Sequence, residues 1–476
     1  MERAPLMKTV RCEAKMMAIL LLLAAGCSGR KSGTVPADFQ SLAWKPPMGW
    51  NSWNCFGSDV NEGQVRANAD FMAGRLRAHG WEYIVLDLGW YLGDRTTILT
   101  FKEPNPPQAI DRYGRLVPDP GKFPSSAGGK GFRKLAGDLH RMGLKFGIHV
   151  MRGIPRQAVE LNTPIFGSVY RAADAVAPLD TCVWYDGLLG VDAASPAGKA
   201  YYHSVLKLYA DWGVDYIKAD DMSQPYHAAD IEALHAAILA CGRPIVLSLS
   251  PGASPLDRAG HLRENANLWR ISPDFWDMWP PLKRQFELCR DWAPHVEPGH
   301  WPDCDMIPMG KLRVTGPDDY VAGLMGKRPG EITNEYSRFS ADEKFTLMTL
   351  WCIFRSPLMF GGNLPETDSL SFALITNDEV LAVNQEGRNG REIRSENGAV
   401  IWTADLPDSA AKVAALFNLD DRGKRQIRVT FRELGLRGGE CAVRDLWKKE
   451  DIGLFRDAFT ASISPHGAGM FRISAR

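Results

Sequence analysis

No excess of either charge marks this chain of 476 residues, in which 56 lysines and arginines balance 56 aspartates and glutamates. A net charge of zero offers no electrostatic case for nucleic-acid binding. Metal and nucleotide signatures are missing as well. Neither a CxxC pair nor an HExxH cluster occurs, which argues against structural zinc and metalloprotease chemistry. There is no GxGxxG opening a helix after a strand, no phosphate-binding P-loop and no GxSxG elbow, so nucleotide and serine-hydrolase chemistry lose support too. No cofactor and no metal are expected. Internal repeats and long low-complexity segments are also absent.

Long apolar runs are scarce. "MMAILLLLAAG" follows the basic residues Arg3, Lys8, Arg11 and Lys15, and it is too short to span a bilayer comfortably. It reads as a secretory signal. Because "LLLAAGC" resembles a bacterial lipobox, residues 1–26 are expected to be a lipoprotein-type signal peptide and Cys27 the lipid-bearing first mature residue; ordinary cleavage nearby is the alternative. The chain would then be exported across the inner membrane, to the periplasm or outer membrane of a bacterium, touching membrane only through the lipid on Cys27. "SGRKSGTVPADFQ" continues as a polar tether, taken over 27–43. Seven cysteines lie beyond Cys27, and an odd number cannot all pair within one chain.

What is present is an alternation. The length suits two or three domains unless one is a large barrel. Short apolar runs at 47–53, 83–90, 144–151, 216–221, 244–252, 268–274, 299–306 and 356–364 read as strands. Between them lie segments of helical periodicity such as "AGKAYYHSVLKLYADWG", several ending at a capping glycine. Eight strands leading into helices describe a (β/α)8 barrel, placed over 44–386. From about 387 onward, short β-like runs separated by polar turns predict an all-β domain to the C-terminus, read as a module that packs on the barrel rather than a carbohydrate binder.

A barrel of this kind builds its site from the loops after the strands. Polar and aromatic residues gather there: Asn51, Trp53, Asp87, His149, Lys218, Asp220, Ser250, Arg270, Asp274, Asp303 and Asp305. Within "DYIKADDM", strand alternation puts Lys218 and Asp220 on one face and Ile217 and Ala219 on the other. So many carboxylates at one mouth are costly unless paired or used. A pocket rich in carboxylates and aromatics suits a carbohydrate, whose hydrolysis needs one ionised and one protonated carboxyl, roughly 5 to 5.5 Å apart when configuration is retained. Asp220, beside the Lys218 cation, is expected to stay ionised, and Asp274, among Pro273, Phe275 and Trp276, to sit in an apolar setting that favours its proton-donating form. Trp53 could stack on a sugar face.

"PPMGWNSWNCF", "YIVLDLGW", "YIKADD", "LWRISPD", "WPDCDM" and "NDEVLAVNQ" occur in the order and roughly at the spacing of glycoside hydrolase family 27, which the chain resembles from about residue 44 to its end. The resemblance implies a (β/α)8 barrel followed by an antiparallel β-sandwich, and hydrolysis with retention through a glycosyl-enzyme. It implies Asp220 as nucleophile and Asp274 as acid/base, with Trp53, Asp87, Lys218, Arg270 and Asp305 contacting the sugar. The implied activity is that of an exo-acting α-galactosidase releasing terminal α-galactose from oligo- or polysaccharides. β-L-Arabinopyranosides, which share the galactose ring stereochemistry without its hydroxymethyl group, and isomaltose-type α-glucosides are alternatives. A non-catalytic glycan-binding surface lipoprotein is the alternative of a different class.

Departures from the family pattern bear on the sugar. Leu88 and Gly89 stand where α-galactosidases usually show a second aspartate and a cysteine, Ser250 where a glutamate often binds the C2 hydroxyl, Met222 where a cysteine is common, and "GIHVMRG" replaces a tyrosine-bearing stretch. If Leu88 faces the pocket, changes at C4 or C5 of the sugar should be tolerated.

Overall fold

The computed structural model describes residues 38–93, 108–316, 318–407, 410–437 and 439–476. The signal peptide and Cys27 lie outside these residues, as does most of the tether. The tether ends earlier than residue 43. Asp38 accepts from the Gln40 amide and starts a turn of 3-10 helix, Phe39–Ala43, whose Phe39 ring packs 4.5 Å from the His235 ring. One aromatic anchor can end a polar linker, since burying a phenylalanine gains about 1.5–3 kcal/mol.

Eight parallel strands follow: β1 (Met48–Asn51), β2 (Tyr83–Leu86), β3 (Lys145–Met151), β4 (Tyr216–Asp220), β5 (Val246–Leu249), β6 (Leu268–Arg270), β7 (Trp301–Asp303) and β8 (Leu358–Phe360). Each pairs with the next up to β7, and β8 pairs with β1. The seam between β7 and β8 closes just beyond β7, where Ile307 N–H donates to Met359 O (2.7 Å) and Gly361 N–H to Ile307 O (2.9 Å). The result is the expected (β/α)8 barrel. Every strand is shorter than its apolar run suggested, because past the last ladder bond the backbone turns to side chains: Asp87 N–H meets Ser52 Oγ (2.9 Å) and Asp305 N–H meets Asp303 Oδ1 (2.8 Å).

Strand alternation divides the packing. Tyr83, Tyr216, Val246, Leu268 and Trp301 form one buried cluster inside the barrel, while Ile84, Leu86, Ile217, Ala219 and Leu247 belong to the larger core under the surrounding helices. Helix Pro196–Trp212 feeds β4. Ser195 caps its start by accepting from Gly198 N–H, and Gly213, at φ 90°, ends it in the left-handed conformation a glycine adopts freely. The segment between β3 and helix Pro196–Trp212 carries a small antiparallel sheet of its own, Ile154–Pro155 and Val176–Ala177 flanking Leu188–Val191.

The all-β part comprises β9 (Arg388–Glu396), β10 (Ala399–Asp405), β11 (Lys412–Asn418), β12 (Arg425–Thr430), β13 (Glu440–Asp445), β14 (Glu450–Arg456), β15 (Ala458–Ile463) and β16 (Ala468–Ala475). A six-stranded sheet, β9-β10-β11-β16-β13-β14, faces the pair β12-β15 across Ile401, Leu416, Ile427, Val429, Phe459 and Phe471. Its other face meets barrel helices, with Phe417 against Phe286 (4.9 Å) and Trp402 against Phe354 (6.2 Å). β9 and β14 gave little sequence signal because they are the sheet edges, where charged, exposed residues are the rule.

Candidate active site

The inner face at the C-terminal ends of the strands lines a narrow cavity that includes Asn51, Lys218, Ser250, Arg270, Asp303 and Asp305. Three charge clusters surround it. In the first, Asp87, just after β2, accepts at Oδ2 from Lys218 Nζ (2.7 Å) and Asn51 Nδ2 (2.7 Å) and at Oδ1 from the Leu88 amide (2.8 Å). Burial works against the carboxylate here, but Lys218, His149 and the Leu88 amide hold Asp87 well below the usual carboxylate range. For Lys218 burial acts in the opposite direction to Asp87, Asp220 and Asp305, and these carboxylates prevail, raising it.

The second cluster is centred on Asp220. Its Oδ2 lies 2.7 Å from His149 Nε2, and its Oδ1 accepts from the Asp221 amide at 2.7 Å. Burial would raise Asp220, yet the hydrogen bond and charge of His149, with Lys218, bring it below its ordinary value. The ionised state expected for Asp220 therefore has more support than the neighbouring lysine alone.

The third cluster is one guanidinium facing three carboxylates. Arg270 Nη2 pairs with Asp305 Oδ2 (2.7 Å) and more loosely with Asp274 Oδ1 (3.3 Å), and Asp303 lies close enough to raise the arginine further. Asp305 also accepts from the amides of Phe275 (2.8 Å) and Met306 (2.7 Å). Burial, against the pull of Arg270, raises it above the usual carboxylate range. Nε and Nη1 of Arg270 are buried with no hydrogen-bond partner among the described residues.

The predicted residues thus converge, with two corrections of setting. The apolar surroundings expected for Asp274 are not there: it sits in the loop after β6 with 43% of its side chain exposed, while Phe275 and Trp276 turn into the core. Sequence neighbours outside a strand or helix need not share an environment. Trp53 does not end a strand but opens the short helix Trp53–Phe56, half-buried against both the barrel interior and Trp276. Ser250 is buried at the cavity wall, its amide continuing the β5 ladder to Ala219 O (2.7 Å).

By sequence His149 is one of several polar residues at the strand ends; in the structure it is the direct partner of Asp220. The available signal was parity: Gly147, His149 and Met151 share the face of β3 that pairs beside Lys218 and Asp220. Among the described residues no group of three or more His, Cys, Asp and Glu could hold a metal ion.

A wild-type crystal structure of a family GH27 β-L-arabinopyranosidase from Geobacillus stearothermophilus superposes with a TM-score of 0.86 at 43% identity, covering 92% of this chain and 98% of that one. The chain belongs to glycoside hydrolase family 27. Membership makes it a glycoside hydrolase of the retaining kind. Family models described as "Alpha galactosidase A" and "Alpha galactosidase C-terminal beta sandwich domain" match residues 179–322 and 396–473. An α-galactosidase from Cyamopsis tetragonoloba is 28% identical over 442 residues, 91% of this chain and 87% of that protein.

The packing around Leu88 and Gly89 accounts for the two departures after β2. Leu88 is buried in the core under the helices, because with Asp87 turned inward alternation turns Leu88 away from the sugar side. Gly89 adopts φ 102°, and a Cβ there would lie 2.7 Å from Ser58, so this loop closes too tightly for a side chain.

Proposed function

We propose that this family 27 enzyme is an exo-acting glycosidase that takes β-L-arabinopyranosides at least as well as α-D-galactosides. The observation that carries the reading is the full-length identity of 43% to a β-L-arabinopyranosidase, against 28% to an α-galactosidase. The pocket is consistent with it. Among the described residues just after β2, 87–93, Asp87 is the one carboxylate, and the next residue is a core leucine. A site without a partner for a group does not reject the analogue lacking it.

In the proposed chemistry Asp220 attacks the anomeric carbon while Asp274 gives a proton to the departing oxygen; Asp274 then takes a proton from water, which releases the sugar from Asp220 with its configuration kept. Lys218, Asp87, Arg270 and Asp305 hold the sugar hydroxyls, and Trp53 flanks the ring. The test is the ratio of kcat/KM for p-nitrophenyl β-L-arabinopyranoside and α-D-galactopyranoside. A ratio of one or more is expected, and a preference for galactose beyond about tenfold, the lower end of what one methylene-sized contact gives, would return the enzyme to the α-galactosidase reading.

We also propose that the N-terminal segment exports the chain and that Cys27 carries the lipid; "LLLAAGC" after a basic start supports this. Labelled palmitate should enter the full chain in a bacterial host and not the Cys27→Ala variant. Equal labelling of the two would remove the anchor.

A further inference from the structure

The loop that carries Asp274 is built against a short helix farther along the chain. Trp276, two residues after Asp274, is buried with its ring 6.3 Å from that of Tyr320, and it clusters with Val321, Ala322 and Ile332. Trp53 packs on the same cluster and also on the inside of the barrel, so an aromatic wall leads from the cavity outward to Tyr320. Tyr320 and Leu324 lie one turn apart on helix Asp319–Leu324. Both are about half exposed, while Val321 and Ala322 between them are buried.

Two ties hold this helix to the loop. Asp318 caps it by accepting from the Val321 amide (2.9 Å), and the buried Arg313 guanidinium joins Asp318 Oδ2 (3.5 Å) to Asp277 Oδ1 (2.7 Å), three residues after Asp274. Arg313 also donates its own amide to Asn54 O (2.9 Å), beside Trp53. Tyr320 is near enough to the loop to feel its charge, since burial and then the Asp274 and Asp318 carboxylates raise its hydroxyl. Single exposed aromatics are ordinary on a surface. This one is held by Trp276 and by a capped helix, next to the half-exposed Asp274 on the open side from which a leaving group must depart.

We propose that Tyr320, backed by Trp276 and extended by Leu324, is the platform on which the leaving part of the glycoside rests, and that it selects aglycones presenting a flat apolar face. Stacking there keeps the glycosidic oxygen beside the group that protonates it. The inference rests on Asp274 being the acid/base.

The test compares benzyl and methyl glycosides of whichever sugar the wild type prefers, so that the choice of sugar does not enter. Both leaving groups are alkoxides that need the same proton, and only one carries a ring. The wild type is expected to favour the benzyl glycoside in kcat/KM by about three- to tenfold, the worth of an aromatic contact. Tyr320→Ala should lose that factor on the benzyl glycoside and stay within about twofold of wild type on the methyl glycoside. Tyr320→Phe should match wild type on both, because the ring and not the hydroxyl makes the contact. Azide rescue of Asp274→Ala on a 2,4-dinitrophenyl glycoside supports the acid/base reading, and no rescue removes that reading and this one together. With rescue observed, equal losses of Tyr320→Ala on the two substrates, or a wild type indifferent between them, overturn the platform and leave Asp274 standing. If Tyr320→Ala does not fold, Tyr320→Gln takes its place with the same expected split, and wild-type indifference refutes the proposal without any variant.

Discussion

Asp220→Ala is expected to abolish turnover of every glycoside, by on the order of 10⁴-fold or more, because no glycosyl-enzyme can form. Asp274→Ala should behave differently. A positioned general acid contributes about 10² to 10⁴, so the loss should fall in that range for an alkyl glycoside or disaccharide and shrink to about tenfold for a 2,4-dinitrophenyl glycoside, whose leaving group needs no proton. The structure separates the two carboxyls in this sense. Asp220 is buried and taken at both oxygens by His149 and the Asp221 amide, whereas Asp274 stands 43% exposed with a single loose contact to Arg270. That is a suitable place for a group that must meet the aglycone, and later a water, from the open side. Steady-state kinetics on the two substrate classes check it. Equal losses in Asp274→Ala on activated and unactivated substrates would put the acid elsewhere, and measurable turnover by Asp220→Ala would remove the nucleophile.

Lys218→Met should be the most destabilising single change in the site. It breaks an ion pair whose side chains are 12% and 3% exposed and strands Asp87 as a buried charge, which costs about 3–5 kcal/mol. The pH dependence follows from the direction of the Asp87 shift. With Lys218 present, Asp87 is depressed, so its contribution to stability is in place above the usual carboxylate range and is lost as pH falls through its folded value. Without Lys218, burial dominates and Asp87 is raised, so the variant is least stable at pH 7 and recovers as the pH is lowered and Asp87 takes up a proton. Urea unfolding at pH 7 and pH 5 reads this directly. In Lys218→Met/Asp87→Asn stability should return while activity does not, which distinguishes a pair that only supports the barrel from one that also serves the sugar. A single variant as stable as wild type at pH 7 would show that Asp87 is held by Asn51 and the Leu88 amide alone.

The eight barrel strands and the shared inner face of Lys218 and Asp220 were legible in the chain itself, because strand alternation is local and a run of six residues is enough to display it. The positions of Asp87, Arg270, Asp303 and Asp305 followed from the same rule, together with the tendency of barrel sites to sit after the strands. The family motifs, read jointly, imply the roles proposed for Asp220 and Asp274, which local pattern does not. The two edge strands of the sandwich carry no sequence signal, for want of an apolar face.

Only the tertiary structure decided who meets whom. His149 and Asp220 are 71 residues apart, and Arg152 and Asp221 are 69 apart; each pair exists because β3 and β4 lie adjacent in one particular register, which no local pattern states. Leu88 and Asp274 show the same limit from the other side. Alternation turns Leu88 into the core, and the loop after β6 leaves Asp274 in the open although Phe275 and Trp276 beside it are buried. A strand's period constrains its own side chains, whereas the charge and exposure of a catalytic group are set by residues that the fold brings in from elsewhere in the chain.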